Sequence, residues 1–148
     1  MQSKLLHQAG GQRIFAVILA TGDEVLSSLQ EFVEHENIHA ATFTAIGALS
    51  GAVLNYFDCQ KKEYEKIPVP EQAEVAALIG DVAEGKLTLH IHLVLGTRDG
   101  SAKAGHLGEG NVRPTLESLL RRVPRTCARS RTTRLDLPSF DLPHKQKV

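Results

Sequence analysis

The sequence lacks several features that would assign it to a common class of protein. It has no run of 18 apolar residues, so we expect no membrane-spanning helix and no membrane partner. Its first residues include no apolar stretch suited to a signal peptide, and two cysteines, Cys59 and Cys127, are too few for a disulfide framework. Its 12 glycines and 6 prolines exclude collagen-like and wholly disordered chains. These absences predict one domain in a reducing cytoplasm.

Familiar catalytic motifs are absent as well. The chain has no G-x-S-x-G elbow, P-loop, C-x-x-C pair or dinucleotide-binding fingerprint. Residues 47–51 loosely resemble a phosphate cradle, but bends in a strand explain their glycines more economically. No neighbour that would activate a thiolate is assigned to Cys59, which we interpret as a structural thiol. No established enzyme class follows from these motifs.

The net charge is zero, yet the charges are unevenly distributed. Residues 1–120 contain 9 basic and 15 acidic side chains, whereas residues 121–148 contain 8 basic and 2 acidic ones. An acidic body repels nucleic-acid phosphates and a basic tail attracts them. Any binding of nucleic acid is therefore expected to depend on the tail.

Hydrophobic periodicity predicts one helix among several strands. Apolar residues at helical spacing indicate an amphipathic helix over about residues 22–36. Thr21 and Glu24 fit a capping box at its start, and Asn37 fits a left-handed stop. Strand patterns occupy residues 14–19, 41–57, 64–69, 73–83 and 86–95. The alanine content of residues 73–83 leaves a helix as the alternative there.

The last part of the domain is less regular in pattern. Residues 84–85 and 98–100 are turn signals, residues 104–110 are interpreted as an irregular glycine-rich link, and residues 112–120 as a strand or short helix. Together the elements predict an α+β fold with a largely antiparallel sheet packed against one main helix. The predicted organisation is a loose lead-in over residues 1–12, a domain over 13–124 and a basic tail over 125–148.

Three histidines form the candidate site. His90 and His92 are one residue apart in an alternating strand, so their rings point to the same face. His106 lies between Gly105 and Gly108, where the backbone can bend back towards them. Three converging imidazoles would form an open divalent-metal site with water in the remaining position, and such a site permits hydrolysis. The alternative is a set of hydrogen-bonded histidines without metal.

The other titratable residues carry weaker signals. Asp58 and Glu109 are candidates for further ligands, and Glu109 for a general base, although no spacing requires either role. The four remaining histidines are interpreted as solvated: His7, His35, His39 and His144.

Several separate motifs resemble the plant and prokaryote conserved (PPC) domain in order and spacing, over roughly residues 10–120. They are FTAIGALS at 43–50, YFD at 56–58, LHIH at 89–92, GHL at 105–107 and PTLE at 114–117. One departure is Ala104, where the family usually has the first glycine of Gly-Gly-His.

The resemblance implies a compact subunit that assembles as a homotrimer. It also implies a divalent metal, for which we expect zinc, on His90, His92 and His106. Prokaryotic members are commonly described as DNA-binding, a label taken largely from plant relatives that carry a separate AT-hook. This chain has no Arg-Gly-Arg-Pro hook.

Two functions are therefore expected, with a third as the alternative to both. The first is a transcription-associated DNA-binding homotrimer with a three-histidine metal site. The second is a metal-dependent small-molecule-binding protein or hydrolase with no role on DNA. The third is a purely structural assembly domain whose histidines are satisfied by hydrogen bonds.

The tail departs from the family after Val123-Pro124. Codons exist for residues 125–141 with which one restored base gives a family-like ending. Our hypothesis is therefore a frame-shifted translation after about Pro124, and sequencing the coding DNA tests it. The competing hypothesis is a basic arm that binds nucleic acid. Both predict that residues 125–148 are poorly ordered.

Overall fold

The computed structural model describes residues 1–83 and 89–123, together with the backbone of residues 128–131 and 138–141. In these residues the elements follow in the order β1 (Gln2–Ala9), β2 (Gln12–Ala20), α1 (Val25–His35), β3 (Ala41–Asp58), β4 (Glu63–Val69), β5 (Ala73–Val82), β6 (Leu89–Gly96), β7 (Ala102–Arg122), β8 (Ala128–Arg131) and β9 (Pro138–Asp141).

Seven strands form one antiparallel sheet in the order β1-β2-β7-β6-β5-β3-β4. β3 also pairs with β7, so β3, β5, β6 and β7 form a closed ring of hydrogen-bonded neighbours. The predicted antiparallel sheet with one helix is confirmed. Strand predominates so strongly that α+β describes the fold only loosely.

One face of α1 supplies part of the core, as its periodicity predicts. Its buried residues are Val25, Leu29, Phe32 and Val33. The ring of Phe32 meets that of Phe15 on β2 edge to face, with centroids 5.3 Å apart. Asn37 ends the helix at a φ of 52°, which confirms the predicted left-handed stop.

The predicted capping box at the start of α1 is wrong. Glu24 is itself the N-cap, and its carboxylate accepts a hydrogen bond from the Ser27 backbone N–H at 2.8 Å. Thr21 instead donates its hydroxyl to the Pro114 carbonyl oxygen. The reason is tertiary: the residues just before the helix still pair with β7, where Gly22 N–H donates to the Val112 carbonyl.

Two segments predicted to be irregular are strands. The lead-in over residues 1–12 contains β1, which pairs with β2 although all eight of its residues are exposed. Because β1 buries no side chain, its sequence carries no period that predicts a strand. The glycine-rich residues 104–110 lie within β7, and residues 73–83 and 112–120 are also strand rather than helix.

In the tail, the structure describes the backbone of β8 and β9. β8 and β9 pair antiparallel as a separate two-stranded sheet. The predicted turn at residues 84–85, the start of the strand predicted at 86–95, Cys127 and His144 lie outside the residues that the structure describes.

Candidate metal centre

The pairing of β6 with β7 brings the three predicted histidines together. Alternate residues of β6, from Leu89 to Leu95, are buried, so the intervening His90 and His92 project from the opposite face. His92 lies directly opposite His106 in the ladder. Two histidines in one strand and a third across the ladder therefore share one surface.

The rings are close enough to act on one ligand. His90 Nε2 lies 3.2 Å from His106 Nδ1. Ring centroids are separated by 4.0 Å for His92 and His106, 4.9 Å for His90 and His92, and 5.0 Å for His90 and His106. One nitrogen from each ring belongs to a set whose members all lie within 4.8 Å of one another.

This donor set fits a zinc ion. Two nitrogens bound to tetrahedral zinc lie about 3.3 Å apart, because each Zn–N bond is about 2.0 to 2.1 Å. The 3.2 Å separation between the His90 and His106 nitrogens matches this spacing, and it is also the length of the hydrogen bond between the two rings. His92 is exposed, so rotation of its side chain is free to bring the third nitrogen closer. Neutral imidazole is also a preferred zinc ligand.

Asp81 flanks the cluster on the neighbouring strand. It lies opposite His90 in the pairing of β5 with β6, and its Oδ2 is 3.8 Å from His90 Nδ1. A carboxylate on this side favours a proton on Nδ1, which leaves Nε2 with its lone pair towards His106. Sequence analysis missed Asp81 because only the register between the two strands places it there.

Tyr64 and Asn55 also surround His106. The Tyr64 ring meets the imidazole edge to face, with centroids 5.4 Å apart, and Asn55 is its partner in the pairing of β3 with β7. A Cβ on Gly108 would lie only 3.0 Å from the Val53 carbonyl oxygen. The glycines beside His106 thus allow two strands to approach closely, rather than forming the predicted link.

The surroundings of His106 disfavour its charged form. Partial burial, followed by repulsion from His92 and His90, lowers the pKa of the His106 imidazole to about 4. The ring is therefore neutral near pH 7, which is the form that ligates a metal.

The other candidate ligands lie elsewhere. Asp58 caps the turn after β3, where its Oδ1 accepts hydrogen bonds from the backbone N–H groups of Gln60 and Lys61. In the described residues the close donor set contains neither Asp58 nor Glu109. His7, His35 and His39 are exposed, as predicted, and so is the free thiol of Cys59.

Comparison with known proteins agrees with the motifs quoted above. The model of the Plants and Prokaryotes Conserved (PCC) domain, the family abbreviated PPC above, matches residues 6–124. The chain belongs to this family. The predicted resemblance to the PCC domain is therefore confirmed. No curated protein sequence matches the chain.

Solved structures of PCC relatives share the fold. A PPC protein from Pyrococcus horikoshii is 29% identical, with a TM-score of 0.81 over 96% of this chain and 100% of that one. A metal-containing protein from Archaeoglobus fulgidus is 31% identical, with a TM-score of 0.78 over 95% and 99%. A proposed DNA-binding protein from Bacteroides thetaiotaomicron is 25% identical, with a TM-score of 0.81 over 92% and 95%.

Within the part of the chain that the structure describes, no helix combines the length and the apolar character that crossing a bilayer requires.

Proposed function

We propose that this PCC-domain protein binds one zinc ion per chain through His90, His92 and His106. The observation that carries the proposal is the convergence of three imidazoles from two paired strands, with two nitrogens at the spacing of zinc ligands. A relative 31% identical over 95% of this chain is a metal-containing protein, which supports the same assignment.

The site would leave a coordination position open, because three protein ligands do not complete a tetrahedron. When bound, zinc supplies a Lewis acid that polarises an oxygen or lowers the pKa of a bound water. The chain's own residues prepare the site: Asp81 orients His90, and the surroundings of His106 keep its ring unprotonated. This arrangement suits the binding of a small molecule, or its hydrolysis.

Metal analysis of three proteins tests the zinc proposal. We expect one zinc ion per wild-type chain. The zinc affinity of His92→Ala should be lower by more than about 100-fold, which exceeds the loss typical when only a residue that bonds a metal ligand is replaced. His39→Ala is the matched control, because His39 is exposed and bonds Asn37 outside the cluster. A wild-type protein that stays metal-free in excess zinc would contradict the proposal.

We further propose that the protein assembles as a homotrimer. The supporting observation is a row of cross-strand partners on the outer face of the sheet, which runs from Leu119 through Thr44 and Ile79 to His92. Leu119 and Ile79 are 56% and 66% exposed, and Ile46 on the same sheet is 63% exposed. Large apolar side chains at such exposure favour contact with another protein surface.

DNA binding is the second candidate function. Two structural relatives, from Bacteroides thetaiotaomicron and Ralstonia eutropha, are proposed DNA-binding proteins. The tail, residues 125–148, carries 6 of the 17 basic residues. Because the rest of the chain is acidic, we propose that any affinity for DNA comes from the tail.

Fluorescence anisotropy with a duplex at about 50 and about 200 mM salt tests DNA binding. We expect weak, salt-sensitive binding by the wild type. The triple variant Arg129→Gln, Arg131→Gln and Arg134→Gln should bind more weakly and with a shallower salt slope. Replacing Lys61, Lys62 and Lys66 by Gln removes the same charge from the body and should leave binding unchanged. Absence of binding at the lower salt concentration would end this candidate function.

A further inference from the structure

A cavity of about 490 Å³ lies beside the histidine cluster. Its wall is formed by the first turns of α1 on one side and by strand residues, including His90 and His106, on the other. The volume falls in the range of small-molecule sites, roughly 300 to 1,000 Å³. An ion held by the histidines would therefore border a space large enough for an organic ligand.

The wall combines an apolar part with uncharged polar groups. Leu26, Leu89, Ile91 and Leu107 supply aliphatic surface, and Leu89, Ile91 and Leu107 are buried. Gln30, on the helix, is one of the uncharged polar residues that complete the wall. A ligand with a short aliphatic body would transfer its own apolar surface from water to this wall.

The charged residues around the cavity restrict the charge that a ligand can carry. Among the residues described, its lining includes neither lysine nor arginine. Carboxylates next to lining residues include Asp81, beside His90, Glu24, which accepts a hydrogen bond from Ser27, and Glu34, which accepts one from Gln30. A bound metal ion would thus be the local positive charge. A monoanion is favoured over phosphate, because phosphate carries more charge and sites for it normally supply Arg or Lys.

We infer that the cavity binds small organic acids that carry one carboxylate and a short aliphatic chain. The carboxylate is directed to the ion at His90, His92 and His106, and the aliphatic chain packs against Leu26 and Leu89. The inference rests on the proposed zinc site, and it adds the class of molecule that this site takes.

Cobalt-loaded full-length protein provides a readout that does not depend on activity, because the visible absorption of Co²⁺ changes when a ligand joins its coordination shell. The probes are formate, acetate, propionate, butyrate and inorganic phosphate. We expect saturable spectral changes with the carboxylates, and an affinity that rises up to about fourfold with each added methylene. Phosphate should bind more weakly than butyrate.

Two neighbouring helix positions give a matched pair of variants. Gln30→Trp places a large ring in the cavity and should weaken butyrate binding by about tenfold or more, with the spectrum of Co²⁺ alone unchanged. Glu31→Trp adds the same ring at an exposed position outside the lining and should bind butyrate like the wild type.

The outcomes separate this inference from the metal proposal. Failure of the wild type to bind Co²⁺ or Zn²⁺ would overturn both. Binding of the metal without any response to butyrate would overturn only the ligand assignment. An affinity that does not change with chain length, or phosphate binding as tight as butyrate binding, would also overturn it. The chain-length series needs no variant, so the assignment remains testable if Gln30→Trp does not fold.

Discussion

At the scale of single residues, His106 has surroundings that oppose a positive charge on its ring. It is partly buried, and two other imidazoles lie with their centroids 4.0 and 5.0 Å from its own. Burial disfavours a cation at this position, and repulsion from His92 and His90 adds to that effect. The same features that lower the pKa of His106 leave a lone pair available for a metal.

This pKa predicts how acid affects the metal-free protein. Above about pH 6.5, His106 is neutral in both the folded and the unfolded chain, so it adds no pH dependence. Between about pH 6.5 and 4 the unfolded chain binds a proton that the folded ring resists. We therefore expect the free energy of unfolding to fall as the pH decreases through this window.

Urea denaturation after metal removal measures this effect. His106→Gln should lose less stability than the wild type between about pH 6.5 and 4, because the titrating group is gone. His39→Gln should follow the wild type. Equal slopes in the wild type and His106→Gln would contradict the assignment of the acid effect to His106.

The sequence predicts the members of the candidate site better than its surroundings. The spacing of His90 and His92 defines a shared face because alternation is a local property of a strand. Asp81 and Tyr64 have no such local signal, since each reaches the site through the register of another strand. The cavity also escapes prediction, because α1 and β6 are far apart in sequence.

At the scale of elements, β3 and β7 are long strands whose approach depends on glycine. Gly47 lies in β3 at a φ of 150°, a conformation that L-residues with side chains rarely adopt. A Cβ at this position would overlap the Thr115 carbonyl oxygen and lie 2.8 Å from Leu116 Cα. The obstacles are backbone atoms of β7, which cannot move without shifting the strand.

Gly47→Ala should therefore destabilise the protein by about 3 kcal/mol or more, the sum of left-handed strain and overpacking. Gly10→Ala is the matched control: Gly10 also has a positive φ, but a Cβ there meets no atom within 4 Å. Its expected cost is about 1 kcal/mol. Urea denaturation measures the loss in free energy of unfolding for both variants. Equal losses would show that contact of the new Cβ with β7 does not contribute to the destabilisation of Gly47→Ala.

The elements that the sequence predicts well are those with a buried face. α1 and β6 each have a hydrophobic period that matches burial on one side, and β2 is an apolar run in which Phe15, Val17 and Leu19 are buried. β1 buries nothing, and β7 changes partners from β6 to β2 along its length. A strand without a period, or with a changing environment, carries no single pattern for sequence analysis to detect.

At the scale of the whole molecule, the outer face of the sheet presents apolar side chains to solvent. Ile79 and Leu119 flank Thr44 in one cross-strand row. Large aliphatic side chains in contact with water are unfavourable, because covering them with another apolar surface lowers the free energy. The proposed homotrimer gives these side chains a partner surface.

A single charge on this face should change the assembly state. We expect light scattering to give about 48 kDa for the wild type, three times the 16.1 kDa of one chain. Leu119→Arg should give about 16 kDa, because burying an unpaired charge costs several kcal/mol. Gln60→Arg, in the turn after β3, serves as the control and should remain trimeric. A monomeric wild type, or a trimeric Leu119→Arg, would contradict the proposal.

In an open sheet, an outermost strand can peel away while its neighbours stay paired. The ring of β3, β5, β6 and β7 has no outermost member, so breaking any one of its ladders leaves each strand held on its other side. Amide protons along these strands should exchange with deuterium together and late, whereas those of β1 should exchange early. The three imidazoles project from two strands of this slowly exchanging ring, so thermal fraying at the sheet's edge would not separate them.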